Sequence, residues 1–326
     1  MVCLGSLSES FQTPAWMAST TLMAPQEQWG RVSGLAQASM STSVIVGPLL
    51  AGYLMEVVAL ETILFIDLAS FVFALFTLLT SRIPSPQKTT ANTEKTSMLQ
   101  EFRQGWHFVK ACPGLPALLY FFTAINFAAS VRGILLTPMV LDFSTPARLG
   151  IILSGVGVGM LAGSLLQATW GGPKRYILGV MIPSAVLGLS FVFQGIRPLW
   201  WLVMISGGLG AACLPLINGS SQVIWQKMVP PELQGRVFSL RRMVAWSANP
   251  IAFVLAGILT EHLFSPAMVE GGTLARIMGP MIGVGPSRGA GLLFVIQGIL
   301  LMGIVLLAWQ HKPLRMLGQA AEPEPH

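Results

Sequence analysis

Five polar or charged residues lie inside stretches of sequence that are otherwise apolar, and they are the residues that could perform chemistry. They are Glu9, Asn126, Arg132, Asn218 and Gln222. Burying such a side chain in lipid is costly, so each one within an apolar helix is a functional candidate. A carboxylate there could take up a proton or bind a cationic group. An arginine could balance a carboxylate or contact an anionic group, and the amides could donate and accept hydrogen bonds.

Each of these residues also has a plainer interpretation. Glu9 could be a solvated residue near the end of its segment. The Arg132 side chain could extend to the membrane interface, and Asn126 lies nearly two turns before it on a similar face. Asn218 and Gln222 are one turn apart and could instead join neighbouring helices by hydrogen bonds.

Long apolar segments must position these residues. Hydrophobic residues make up 53% of the 326-residue chain and charged residues only 10%, whereas a soluble domain would carry about a quarter charged residues. We predict nine membrane-spanning helices, because each segment approaches the ~20 residues that cross a bilayer. The expected fold class is an all-α integral membrane bundle. The predicted spans are residues 2–24, 33–55, 60–81, 115–141, 148–170, 176–195, 199–222, 237–260 and 289–310.

The net charge of +6 reflects membrane topology rather than nucleic-acid binding. Basic residues, Arg241 and Arg242 among them, concentrate in or after alternate loops, and the intervening loops are poorer in them. The positive-inside rule places the basic loops and the C-terminus in the cytoplasm. The three cysteines and four histidines form no metal-ligand set, nucleophile triad or nucleotide-binding motif. We therefore expect no cofactor, no metal site and no enzymatic activity.

One sequence pattern occurs twice. Pro-x-Glu-x-x-Gly-Arg-Val-x-x-Leu begins at Pro25 and again at Pro230. Each copy follows one apolar segment and precedes another, so we interpret the copies as cytoplasmic hinges in two related halves. The glutamate and arginine of each copy are spaced for a local ion pair. The hinge residues are Glu27, Gly30 and Arg31 in the first copy and Glu232, Gly235 and Arg236 in the second.

The composition changes between residues 82 and 114, and this change divides the chain into domains. Proline, serine, lysine and threonine predominate at first, and a short amphipathic piece around Trp106 follows. We interpret residues 82–114 as a cytoplasmic linker between a bundle at 1–81 and a six-helix bundle at 115–312. Residues 313–326 end in Glu-Pro-Glu-Pro-His and are expected to be a disordered cytoplasmic tail.

These segments resemble the major facilitator superfamily, and in particular its macrolide-efflux-like branch of drug:proton antiporters. Members have two six-helix halves joined by a long cytoplasmic linker, and the six spans after the linker are similar to a complete C-terminal half. Pro14-Ala15-Trp16 and Leu64-Phe65-Ile66-Asp67 look like parts of the fourth and sixth helices of that family. Residues 1–81 then correspond to helices four to six, and three helices are expected to be missing before them, through an internal start at Met1 or a truncated gene.

Ser43, Gly47, Pro48 and Gly52 resemble the antiporter motif in the fifth helix of that family, with Ser and Ala in place of two glycines. In that family the motif shapes a kinked, closely packed helix that favours exchange over leak. The physics agrees, because proline removes a backbone hydrogen bond and glycine admits a neighbouring backbone. An ordinary proline kink is the alternative.

The resemblance implies a secondary active transporter of the bacterial inner membrane, which exports amphipathic small molecules in exchange for protons by alternating access. It places Glu9 at the central cavity and Asp67 in a peripheral helix, where a structural role is expected. Two alternatives remain open: an exporter of a siderophore, peptide or lipid-like metabolite, and a truncated membrane remnant that does not transport. The expected partners are a small-molecule substrate, protons and the lipid bilayer, without nucleic acid, and the chain is expected to be a monomer.

Overall fold

The structure is a computed structural model, and every secondary-structure element that it describes is helical. The predicted span 2–24 and the first hinge copy lie outside the described residues, and with them lie Glu9, Glu27, Gly30 and Arg31. The structure describes residues 43, 45–80, 98–170, 173, 175–285 and 287–320.

We number the helices of the described residues in chain order. Six of them, α4 to α8 and α10, are long and apolar enough to cross a membrane. The 21 residues of α2 would extend about 31 Å, which also matches the hydrocarbon thickness of a bilayer. The helices are α1 (Ile45–Val57), α2 (Leu60–Thr80), α3 (Met98–Ala111), α4 (Leu115–Phe143), α5 (Pro146–Trp170), α6 (Tyr176–Ile196), α7 (Trp200–Met228), α8 (Pro231–Ile258), α9 (Ala275–Ile282), α10 (Arg288–Gln310) and α11 (Lys312–Ala320).

Each predicted span from residue 115 onward coincides with one helix, but several helices extend beyond the apolar stretch. The helix α7 continues to Met228 rather than ending at 222, and α8 begins at Pro231 rather than at 237. The apolar stretch of sequence ends where the hydrocarbon core of the bilayer ends, whereas the helix itself can continue into water. Pro231 suits the first turn of α8, where no backbone N–H donor is needed.

Close backbone contacts hold the six-span bundle together. The helix α7 packs against α5 and α6, α6 packs against α10, and α4 packs against α8 and α10. A side chain on Gly159 would clash with the carbonyl oxygen of Gly208, and one on Gly163 would clash with that of Ala212. Small residues therefore bring α5 and α7 together.

The buried apolar residues form two main clusters at different heights of the bundle. One includes Leu118, Trp225 and Leu317 and joins α3 and α11 to the adjacent ends of the spans. We call this end the linker end. The other cluster includes Met139 and Phe294 and lies toward the opposite end, which carries α9 and which we call the far end.

The helix α8 does not stop at Ile258. It continues through a π-helical segment, Leu259–Phe264, into a short α-helical turn, Ser265–Met268. Gly289 of α10 crosses the end of the π-helical segment so closely that any side chain there would meet the backbone of Phe264 and Ser265. A glycine at this position is therefore a steric requirement at the far end.

The prediction of a disordered tail was wrong for residues 313–320. These residues belong to α11, and Leu314 and Leu317 are buried in the cluster at the linker end. Gly114 makes room for them, since a Cβ there would lie 2.6 Å from Leu317 Cδ1. Its φ of 93° lies in the left-handed region that glycine adopts without strain. Two leucines three residues apart suffice for an apolar helix face. The prediction of disorder rested instead on the Glu-Pro-Glu-Pro-His end of the tail.

Candidate functional site

The antiporter-type motif lies in and just before α1, which packs against the first turns of α5. A Cβ on Gly52 would lie 2.7 Å from the carbonyl oxygen of Pro146, and one on Gly150 would lie 2.5 Å from that of Pro48. Among the described residues, no neighbouring atom lies within 4 Å of such a Cβ on Gly47. Gly52 and Pro48 therefore form the close contact with α5, and Gly47 takes no part in it. Ser43 is helical and lies one turn before Gly47.

Two hydrogen bonds join the same pair of helices. The Ser154 hydroxyl donates to the carbonyl oxygen of Ile45 at 2.7 Å. The backbone N–H of Ala147 donates to Glu56 Oε1 at 3.1 Å, so a carboxylate from α1 accepts a hydrogen bond from the first turn of α5. A negative charge is favourable at a helix N-terminus. The described segment before the linker is thus attached to the six-span bundle at its far end.

Arg132 lies near the middle of α4 and is directed into the bundle rather than toward an interface. Its Nε donates to Gln194 Oε1 at 2.8 Å, and the Gln194 side chain is fully buried. The Nη2 atom is buried without a hydrogen-bond partner among the described residues, and a Cβ on Gly207 would lie 3.2 Å from it. Arg132 therefore links α4 to α6 and passes against α7.

Asn126 does not share the face of Arg132. Six positions along an α-helix correspond to about 600° of rotation, which leaves the two side chains about 120° apart. The Asn126 Nδ2 donates to the backbone oxygen of Phe122 at 2.8 Å, and the side chain is half-buried. The expectation of a shared face was wrong, because the spacing falls well short of two full turns.

A second arginine, Arg241 of α8, forms a polar cluster with α7 nearer the linker end. Its Nη1 donates to Gln222 Oε1 at 2.9 Å, and its Nη2 donates to the Ser221 hydroxyl at 3.0 Å. The guanidinium carbon lies 5.4 Å from the ring centre of Phe122 and 5.3 Å from that of Trp225. Such distances are typical of cation–π contacts. Arg241 therefore joins α4, α7 and α8.

This cluster brings three of the sequence-predicted residues to one region. Gln222 contacts Arg241 directly. Asn218 lies one turn before Gln222 on α7, and Asn126 lies one turn after Phe122 on α4, which runs in the opposite direction. Both asparagines are therefore about 6 Å further toward the far end than the residues that hold Arg241. We call the region of Asn126, Asn218, Gln222 and Arg241 the polar level. Asn218 is exposed, so the polar level is accessible from one face of the bundle.

Arg241 was counted among the topogenic charges, and its place in the site was not predicted. A signal was available, because the predicted span 237–260 already contains it.

The positions of the carboxylates show which charges could balance these arginines. From residue 112 to residue 310 the sequence has only four of them, at Asp142, Glu232, Glu261 and Glu270. All four lie near helix ends or in loops, so the arginines inside the bundle have no acidic counterpart there.

The second hinge copy contacts the linker helix. Arg236 Nη1 donates to Gln104 Oε1 of α3 at 2.7 Å, and a Cβ on Gly105 would lie 3.3 Å from the carbonyl oxygen of Arg236. Glu232 lies in the first turn of α8, and Gly235 has open space around it. Arg236 therefore attaches α3 to α8, a contact between distant segments that the spacing of Glu232 and Arg236 did not predict.

A surface depression of about 470 Å³ lies at the far end, beside the loop that precedes α9. Glu270, Thr273, Arg276 and Val284 are among its lining residues. None of the helices that carry Asn126, Asn218 or Gln222 lines it, so it is separate from the polar level. The described residues contain no group of three or more His, Cys, Asp or Glu side chains that could hold a metal ion.

Known proteins resemble this chain over most of its length. Macrolide efflux protein A of Streptococcus pyogenes is 28% identical over 262 residues, which cover 79% of this chain and 64% of that protein. The protein of the same name from Enterococcus faecalis is 29% identical over 250 residues, covering 76% and 77%. Multidrug efflux pump Tap of Mycobacterium tuberculosis is 24% identical over 271 residues, covering 80% and 64%. The chain thus spans less than two thirds of the first and third of these relatives.

A solved structure has the same fold. It is the crystal structure of a bacterial homolog of the human lysosomal transporter Spinster, in an inward-facing and unoccupied conformation, and it matches with a TM-score of 0.61. The match covers 96% of this chain and 76% of that chain at 13% sequence identity. The Major Facilitator Superfamily family model matches residues 1–253. The predicted membership is confirmed, and the chain belongs to the Major Facilitator Superfamily.

Proposed function

We propose that this chain acts as a secondary active transporter that exports amphipathic small molecules by alternating access. The observation that carries the proposal is the polar level formed by Asn126, Asn218, Gln222 and Arg241 within an otherwise apolar bundle. An apolar site with a few convergent polar groups suits an amphipathic ligand. The efflux proteins among the relatives support the same direction of transport.

The orientation follows from the charges. The basic loops and α3 lie at the linker end, so we place that end in the bacterial cytoplasm and the chain in the inner membrane as a multi-pass protein. The contacts between α1 and α5 then close the outer side. In alternating access this contact would open while the opposite end closes.

Protons are the proposed energy source, and the distribution of acidic residues restricts where they could bind. The six-span bundle has no carboxylate between its ends, so proton carriage is assigned to the segment before the linker. Glu9 is the candidate there, because a structural role is expected for Asp67, which lies in the middle of α2 with an exposed side chain. The chain would act as a monomer, since one copy contains the polar level.

Export can be tested in bacterial cells that lack their own drug pumps. Cells that express the chain should accumulate less of a fluorescent amphipathic dye than cells with an empty vector, and a protonophore should abolish the difference. Equal accumulation in both strains would favour the remnant alternative. A siderophore, peptide or lipid-like metabolite remains the alternative substrate, and the arginines inside the bundle favour such a molecule over a cationic drug.

A further inference from the structure

Arg241 retains donors that none of the described residues uses. A guanidinium carries five N–H groups, and one bond each to Gln222 and Ser221 uses two of them. Both acceptors are neutral, so the positive charge is not cancelled by its partners. The Arg241 side chain is half-buried, and none of its nitrogens is both fully buried and without a partner. Nε has no hydrogen-bond partner among the described residues and is not fully buried, so at least this N–H group of the half-buried side chain is accessible to a ligand.

The surroundings hold this charge in a fixed position. The rings of Phe122 and Trp225 lie at 5.4 and 5.3 Å from the guanidinium carbon, and both side chains are buried. A guanidinium fixed in this way loses little freedom when it binds an acceptor, which favours two parallel hydrogen bonds to a carboxylate. Asn126 and Asn218, one turn further into the bundle, could bond the same ligand.

The local charge balance selects the sign of the ligand. Arg242 follows directly and is exposed, and the bundle provides no carboxylate between its ends. Within the six-span bundle a lipophilic cation would meet positive charge and no carboxylate, whereas an anionic group would be attracted. Arg132 does not provide the same opportunity, because its free Nη2 is enclosed beside Gly207.

We propose that Arg241 determines substrate specificity, and that the substrates are amphipathic molecules that carry a carboxylate. The carboxylate binds the unused N–H groups of Arg241, and the apolar part of the molecule lies along the apolar walls of the path. This inference rests on the proposed function, because that function places the substrate path beside the polar level.

Two related dyes provide a matched pair of probes. Both dyes carry the same cationic ring system. In rhodamine 6G the carboxyl group is esterified, so the dye is a cation, whereas rhodamine 19 has a free carboxylate. Binding to the purified chain in lipid nanodiscs, measured by fluorescence anisotropy against empty nanodiscs, should be tighter for rhodamine 19. Arg241→Gln should weaken binding of rhodamine 19 by about tenfold or more, as expected when a charge-assisted hydrogen bond is lost.

The matched control is Arg242→Gln, which removes the same charge one position along, and it should change the affinity for rhodamine 19 by less than about threefold. Tighter binding of rhodamine 6G by the unmodified chain, no binding of rhodamine 19, or equal losses in the two variants would overturn the inference. Because Arg241→Gln could impair folding, Asn218→Asp tests the proposal with Arg241 left in place. It adds a carboxylate at an exposed position and should shift the preference toward rhodamine 6G, and an unchanged preference would count against the proposal.

Transport by the same protein separates the two proposals. Reconstituted vesicles that move rhodamine 6G but not rhodamine 19 would overturn the specificity inference and leave the transporter intact. Vesicles that move neither dye, despite a binding preference for rhodamine 19 that depends on Arg241, would contradict the proposed transport and support the assignment of Arg241 as the specificity residue.

Discussion

Two arginines determine the polar chemistry inside the six-span bundle, and the protein holds them in different ways. Arg132 bonds Gln194 and leaves Nη2 enclosed beside Gly207, so it serves the contact between helices. Arg241 is held by neutral partners and two rings, and part of it is accessible. The difference in enclosure, rather than in charge, is the reason why we propose a structural role for the first and a ligand-binding role for the second.

At the residue scale, the enclosure of Arg132 can be tested with Gly207→Ala. The added Cβ would lie 3.1 Å from Val156 Cγ2 and 3.2 Å from Arg132 Nη2, so both neighbours must shift. We expect a loss of about 1–3 kcal/mol in stability, the usual range for overpacking, seen as a lower melting temperature in detergent. Gly303→Ala is the control, because no atom of the part of the chain that the structure describes lies within 4 Å of a Cβ added there. Equal melting temperatures for the two variants would disprove the tight enclosure.

The sequence predicted part of this residue-scale arrangement. Asn218 and Gln222 share a face because four residues make about one turn, and a helix assignment is sufficient to predict that. The pairing of Arg132 with Gln194 joins residues on two different helices, and only the arrangement of the helices in the folded bundle decides it. The role of Arg241 in the site was missed for a related reason. An arginine near a basic loop is attributed to membrane topology until the residues that surround it are known.

At the element scale, the contact between α1 and α5 depends on Gly52 but not on Gly47. Gly52→Ala would force Pro146 and α1 apart, because the added Cβ would lie 2.7 Å from a backbone oxygen that cannot rotate away. We expect disulfide cross-linking between cysteines at positions 45 and 154, whose residues are hydrogen-bonded, to fall severalfold. Gly47→Ala is the matched control and should leave it unchanged. Identical yields in both variants would show that the motif does not shape this contact.

A second element-scale prediction concerns α11 and the thiol of Cys112, which lies between α3 and α4. Burial raises the pKa of Cys112 above the usual thiol value, so less thiolate is present at a given pH and alkylation is slowed. Leu317→Asp should detach α11, lower this pKa and speed alkylation at pH 8, in a chain with Cys3 and Cys213 replaced by serine. Met316→Asp, exposed on the same helix, should not. A rate unaffected by Leu317→Asp would contradict the packing of α11.

Hydropathy predicted the spanning helices well because the bilayer imposes a length and a composition on them. It could not predict where α7 ends and where α8 begins, since the last turns of α7 and the first turns of α8 lie outside the apolar stretch. It also missed α11, whose burial depends on two leucines and on the left-handed glycine at position 114. Short amphipathic helices depend on the surface they cover, and that surface is assembled from residues distant in sequence.

At the scale of the whole molecule, the described segment before the linker meets the six-span bundle at the far end, and the polar level lies between that contact and the linker end. Alternating access needs an element that two states arrange differently, and the α1–α5 contact is the candidate. The chain spans 64% of its Streptococcus pyogenes relative, so the transport activity of a whole protein is a proposal for this chain.

We propose that the polar level faces an aqueous path that opens at the linker end. A chain whose only cysteine is introduced by Asn218→Cys should react with a membrane-impermeant maleimide in inside-out vesicles, where the cytoplasmic side is accessible, and much more slowly in right-side-out vesicles. Rhodamine 19 should protect it. Labelling that is absent from both sides, or equal from both and unaffected by the dye, would show that this face of α7 meets lipid and would contradict the account.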